Sequence, residues 1–249
     1  MNNAASIADT TDTARCWWDH TQARWVRPEP GGPLVDVRDM VVVHTALLRE
    51  FRLAPAAVSR VPVGARRPAA RVDRHLALLC DLLHHHHAGE DALLWPPLRE
   101  QAPARAAALL AEAEAQHEGL DRALGAVTAA RRAWVESVDA GARDALVEAL
   151  RELHLLLAEH LDTEERTLLP LAAAHLTEAQ WRAVGEAGAA SVPKSAMLLV
   201  FGMFAYEGDP EVLATMLAEA PAPVRTLVPR LAPRVYARRA ARVHGTARP

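Results

Sequence analysis

The sequence predicts an all-α protein: an up-and-down antiparallel four-helix bundle with an additional C-terminal helical segment. Three observations carry this reading. Alanine and leucine dominate, glycine is sparse and aromatics make up only 4%, a composition that favours helices over sheets. Apolar residues recur at helical spacing over long stretches, as at Leu76, Leu79, Leu83 and Leu94. Finally, the chain repeats itself. His86-x-x-x-Glu90 runs into Leu93-Leu94-Trp95-Pro96, and His160-x-x-x-Glu164 runs into Leu168-Leu169-Pro170, each glutamate preceding its proline by six residues.

The elements follow in order. Residues 1–35 form an N-terminal extension ending in Pro28-Glu29-Pro30-Gly31-Gly32-Pro33, which does not sustain a helix. Trp17, Trp18 and Trp25 predict that this segment packs on the domain surface. Residues 36–175 hold the bundle. A first helix, capped by Asp36 or Asp39, runs through His44 to about Leu53. Pro55, Pro62 and Pro68 mark a connection with at most a short helical turn. A second helix spans about Ala69 to Arg99, kinked or ended by Pro96-Pro97. A third starts near Pro103 and runs to about Trp134, and a fourth covers about Ala142 to Ala174. Residues 176–249 form a C-terminal helical extension, with helices at Thr177–Ala190, Ala196–Tyr206 and Glu211–Glu219. A proline-punctuated basic tail follows; from Arg225 it has seven arginines and no acid, and reads as a solvated surface.

Charge and composition exclude several classes of function. A net charge of -3 gives no polyelectrolyte signature, so no nucleic-acid partner is expected. No run of 18 apolar residues predicts a membrane span, and no basic-then-apolar N-terminus predicts a signal peptide. Cys16 and Cys80 match no metal or redox spacing, which points to a reducing cytoplasm, with Cys80 a small core residue.

The chemistry lies in the repeat. His44 precedes His86 by 42 residues and His117 precedes His160 by 43, so each half is a helical hairpin with the same donor layout. Positions i and i+4 share a helix face, about 6 Å apart along the axis, so each His-x-x-x-Glu pair aims at one point. Two carboxylates buried without counter-charge would be very costly, and metal cations remove that cost. Imidazole with carboxylate suits iron, and also manganese or zinc; two glutamates from different helices can bridge two metals while the histidines take terminal positions. The metal-ligand candidates are His44, His86, Glu90, His117, His160 and Glu164. His84 and His85 are rotated off the His86 face by about 200° and 100°. His75 lies on that face but roughly 16 Å away, and is read as a packed or capping residue, the alternative being a residue lining a path to the site. His154 and His175 fall outside the motif.

This arrangement resembles the hemerythrin-like family, the HHE cation-binding domain. His44, His86-x-x-x-Glu90, His117 and His160-x-x-x-Glu164 match the family motif one by one, and the flanking Leu-Leu-Trp-Pro and Leu-Leu-Pro stretches resemble it too. The resemblance covers roughly residues 36–175. It implies a bundle holding a non-haem di-iron centre, two iron ions with an oxo or hydroxo bridge, that meets O2, peroxide or nitric oxide. The ligand partner is thus a small diatomic or peroxide molecule, and no catalytic residue is assigned. The alternative is an iron- or oxygen-responsive sensor without turnover, its C-terminal helices acting as output surface. Oxygen carriers of the family have a second histidine one turn away on the third helix. Here the flanking positions are Ala113 and Asp121, so a fifth imidazole is missing there, and reversible O2 carriage is not expected. Asp121, His87 and Glu165 are the candidates to complete the shell.

Overall fold

The computed structural model describes residues 17–19, 24–26, 34–104 and 106–249. A small antiparallel hairpin, β1 (Trp17–Asp19) and β2 (Arg24–Val26), pairs Trp18 with Trp25. The sequence reading anticipates no strand in the N-terminal extension. The packing of its tryptophan side chains lies outside the described residues.

Four long helical segments build the bundle. α1 (Arg38–Ser59) is followed by α2 (Arg66–Gly89), which continues through a π turn (Glu90–Leu94) into α3 (Trp95–Gln101). α4 (Ala106–Ser137) and α5 (Ala140–His175) complete it. α1 packs on α2, α2 on α4, α4 on α5, and α5 back on α1, which closes the square expected of an up-and-down bundle. The α4–α5 link is short. Asp139 caps α5 by accepting from the Ala142 N–H at 2.8 Å.

Several boundaries differ from expectation. α1 does not stop before Pro55 but runs through it to Ser59. Proline costs the helix one hydrogen bond there. Ala54, Ala57 and Val58 are fully buried against the core, and that packing outweighs the local loss. Pro96 and Pro97 do not end the second helix, because they fall in the first turn of α3, where a missing N–H matters least. Val37 occupies the cap position without a side-chain cap bond; Asp36 accepts the first backbone N–H of α1, from Arg38, at 3.0 Å and pairs with its guanidinium, while Asp39 accepts from the Trp181 indole at 3.2 Å.

The C-terminal extension comprises α6 (Glu178–Ser191), α7 (Met197–Phe204), α8 (Pro210–Met216) and α9 (Ala222–Val243). The proline-punctuated tail is a correction: α9 is one helix containing Pro229 and Pro233, packed on α7. Its basic residues line the outer side, while Ala232, Tyr236 and Ala240 are buried. α6 rests on α2 and the π turn, α7 and α8 on α1, and α9 on α2. No helix among the described residues is long and apolar enough to cross a membrane.

The bundle core falls into two apolar clusters. One is built on Ala46–Val58, Leu76–Leu83, Leu120–Trp134 and Leu146–Leu161; the other on Met40, Leu94–Leu98, Leu110–Ala113 and Leu168–Ala173. On every helix the interval between the clusters carries the polar residues: His44, His86 to Glu90, His117, and His160 to Glu164. A polar layer therefore crosses the whole bundle.

Candidate metal centre

The six residues expected from the sequence meet in this layer. His44, Glu90, His117, His160 and Glu164 are each at most 3% exposed. On α2, His86 Nε2 lies 3.2 Å from Glu90 Oε1, the i,i+4 pair the repeat predicts. On α5, His160 Nε2 lies 3.6 Å from Glu164 Oε2. The two halves interlock. His117 Nε2 is 3.5 Å from Glu90 Oε2, and His44 Nε2 is 3.6 Å from Glu164 Oε2. Each carboxylate thus faces one imidazole from either hairpin.

His87 joins them. It is buried, stacks on His117 with ring centroids 4.3 Å apart, and meets His160 edge-on at 5.1 Å. The fifth imidazole that is missing from the third helix comes instead from the second. The π turn beginning at Glu90 accompanies it, since a widened turn shifts which side chains share a face and recurs at functional sites. A strict 3.6-residue wheel admits His86 and excludes its neighbour. His84 and His85 are exposed, as their angular offset predicts. Asp121 is also exposed, 3.8 Å from His84, and stands outside the layer.

The outer nitrogens are fixed by residues beyond the six, of which only Glu165 stood among the candidates to complete the shell. Asp91 Oδ1 lies 2.7 Å from His117 Nδ1, Glu165 Oε1 lies 3.0 Å from His44 Nδ1, and Gln116 Oε1 lies 3.0 Å from His160 Nδ1. An acceptor on Nδ1 places the ring proton there and leaves the Nε2 lone pair aimed inward. The signal was present in the repeat: each motif glutamate is followed directly by a second acid, Asp91 or Glu165. Each second acid serves the histidine of the opposite hairpin.

Among the inward-facing atoms, His117 Nε2 and His160 Nε2 pair with each other at 3.1 Å, and most of the others lack partners. His44 Nε2, His86 Nε2, both nitrogens of His87 and both oxygens of Glu90 and of Glu164 are buried without a hydrogen bond. Orphaned polar atoms at this density are rare in a packed core. Burial pushes the Glu90 carboxyl well above its ordinary range, with Glu164 and Asp91 reinforcing it, and raises Glu164 to about 7. Burial and the neighbouring imidazoles hold His86 and His87 well below theirs, and His160 down to about 3. His44 is the exception: burial opposes its protonation, but Glu164 and Glu165 more than offset that, so its pKa is raised. Neutral imidazoles and carboxyls awaiting a counter-charge are the donor chemistry of a metal site, and the residues present fit one. The donors fall into two groups, His87/Glu90/His117/His160 and His44/His86/Glu90, in each of which the ligand atoms lie within 4.8 Å of one another. Glu90 belongs to both.

At Glu165, whose carboxylate holds His44, a cavity of about 170 Å³ opens between the bundle and the extension, lined by Val41, Thr45, Glu165 and Leu169 on one side and Gly208 and Val212 on the other. Comparison with curated proteins and with solved structures yields no match. Comparison with protein families matches the hemerythrin HHE cation-binding domain over residues 35–172, the span that carries every residue of the polar layer. The chain belongs to the hemerythrin HHE cation-binding domain family.

Proposed function

We propose that the polar layer holds two non-haem iron ions and that this centre binds or reacts with a small ligand: O2, peroxide or nitric oxide. The observation that carries the proposal is Glu90, whose two oxygens face imidazoles of two different donor groups. A carboxylate so placed is what two ions would share, and Glu164, which faces His44 and His160, is its counterpart. His44, His86, His87, His117 and His160 supply the terminal donors. When bound, iron in such a site supplies redox chemistry and an open position for a small ligand. The chain does the rest. Asp91, Glu165 and Gln116 orient three of the rings, and the apolar clusters above and below keep bulk water out of the layer. The cavity beside Glu165 gives a small molecule an approach to His44.

The test is iron content, with the visible spectrum recorded before and after addition of peroxide, or of nitric oxide to the reduced protein. About two irons per chain and a ligand-dependent spectral change are expected. One iron per chain, or zinc in preference under iron-replete conditions, overturns the di-iron reading. With five imidazoles in the layer, reversible O2 binding joins the outcomes to be measured, and deoxygenating an air-equilibrated sample separates it from turnover.

A further inference from the structure

A second buried donor cluster lies away from the layer. Glu50 on α1, His75 on α2 and His244, just past α9, are 0%, 1% and 5% exposed. His75 Nε2 lies 2.9 Å from Glu50 Oε2 and His244 Nε2 lies 3.2 Å from the same oxygen, with all three ligand atoms within 4.8 Å of one another. Glu50 is six residues beyond His44, roughly 9 Å along the helix, and His75 is eleven before His86, so the cluster is separate from the first.

We propose that Glu50, His75 and His244 form a further, mononuclear site for a divalent metal such as zinc or ferrous iron, which fastens the C-terminal extension to the bundle. Two imidazoles and one carboxylate are a donor set both ions accept. Donors sharing an ion at about 2.1 Å stand roughly 3.0–3.4 Å from one another, and the two imidazole nitrogens lie 2.9 and 3.2 Å from Glu50 Oε2, at the edge of and within that range.

The carboxylate is divided in a way that suits the role. Oε1 is occupied by the Tyr236 hydroxyl at 2.5 Å and by the Arg49 guanidinium at 3.2 Å, which orient it. Oε2 is left to the two imidazoles. Arg49 also donates to half-exposed Glu207 at 2.9 Å, so one guanidinium is shared between two carboxylates and the group keeps one negative charge for a cation to match. Nδ1 of His75 and of His244 is buried without a partner, so nothing outside the cluster dictates that Nε2 must keep its proton. Burial also holds His75 neutral, the form that ligates.

The competing account is a metal-free hydrogen-bonded clasp, in which both Nε2–H groups donate to Glu50. His244→Gln separates the two, because the amide can still donate to Glu50 but is a poor metal ligand. The experiment loads the full chain with cobalt(II) and measures metal per chain and visible absorption for the wild type, His244→Gln and His244→Ala. Expected is one equivalent fewer in both variants, with loss of one component of the spectrum, while Glu90→Ala, which strikes only the first centre, keeps that component. Thermal melts in chelator check that the variants fold. Equal cobalt content and unchanged spectra in wild type and both variants overturn the proposal, whatever the first centre binds.

Discussion

Glu90 and Asp91 are adjacent in the chain yet face different partners, one inward with both oxygens unpaired, the other outward on His117 Nδ1. Glu164 and Glu165 repeat that division, with Glu165 on His44. Removing an inner carboxylate takes away a donor, whereas removing an outer one only loosens a ring. Glu90→Ala and Glu164→Ala are therefore expected to abolish stoichiometric iron, while Asp91→Asn and Glu165→Gln weaken it by about 10–100-fold. Competition against a chelator of known affinity measures this. Equal losses from Glu90→Ala and Asp91→Asn would show that the two acids are not divided in this way. Within the histidine run, His86→Ala and His87→Ala should each change the visible spectrum of the loaded protein. His84→Ala and His85→Ala, both at exposed positions, should leave it unchanged. A spectrum indifferent to His87→Ala removes the fifth imidazole from the donor set.

At the scale of elements, packing decides where local signals mislead. α1 and α9 both contain prolines that read as breaks, at Pro55, Pro229 and Pro233. A proline signal reports the loss of one hydrogen bond and says nothing of the apolar face that the continuing helix buries. The four bundle helices were legible because their apolar periodicity is long, and the six inner residues of the polar layer because the repeat doubles the signal for each. His87 was legible only as one of three candidates to complete the shell, since it enters the layer beside a π turn that no fixed period anticipates. The Glu50 cluster was not, because its members are brought together only by the fold, with Glu50 and His244 194 positions apart in the chain. The seating of α9 on α7 likewise depends on tertiary contact at one point. A Cβ on Gly202 would run into the Ala232 carbonyl and approach Tyr236 Cβ to 2.8 Å. Gly202→Ala must push α9 away, at a cost of about 1–3 kcal/mol. Its effect should appear in thermal unfolding and in faster hydrogen exchange along α9, with the iron spectrum unchanged. A melting temperature equal to wild type would mean that the two helices separate freely.

For the whole molecule, the polar layer is a stability cost that cations remove, and its pH dependence in the metal-free protein shows how. Burial raises Glu164 to about 7, with His44 opposing and Glu165 reinforcing, and burial with Glu164 and Asp91 raises Glu90 well above its ordinary range. A carboxyl that is protonated in the fold and ionised when unfolded subtracts about 1.4 kcal/mol of stability for each pH unit it stays so. His86, His87 and His160 act in the other direction. Held down by burial, they favour the fold increasingly as pH rises, but only up to the ordinary histidine value of about 6.5. His44, raised by Glu164 and Glu165 against its burial, contributes stability below that value and loses it as pH rises through its folded pKa. Above about pH 6.5 every remaining contribution therefore has the same sign, and the apoprotein loses stability toward alkaline pH. Bound metal reverses this, because the deprotonated carboxylates become its ligands and ligand binding stabilises only the folded state. Apoprotein prepared with chelator should show a melting temperature that falls between pH 6.5 and 8.5, by about 2–4 °C per kcal/mol for a chain of this size. The metal-loaded protein should hold level or rise over the same range, so that the gap between the two widens. Parallel melting curves, with a gap independent of pH, would mean that the layer loses no protons on taking up metal, and Glu90 and Glu164 would then not be its ligands.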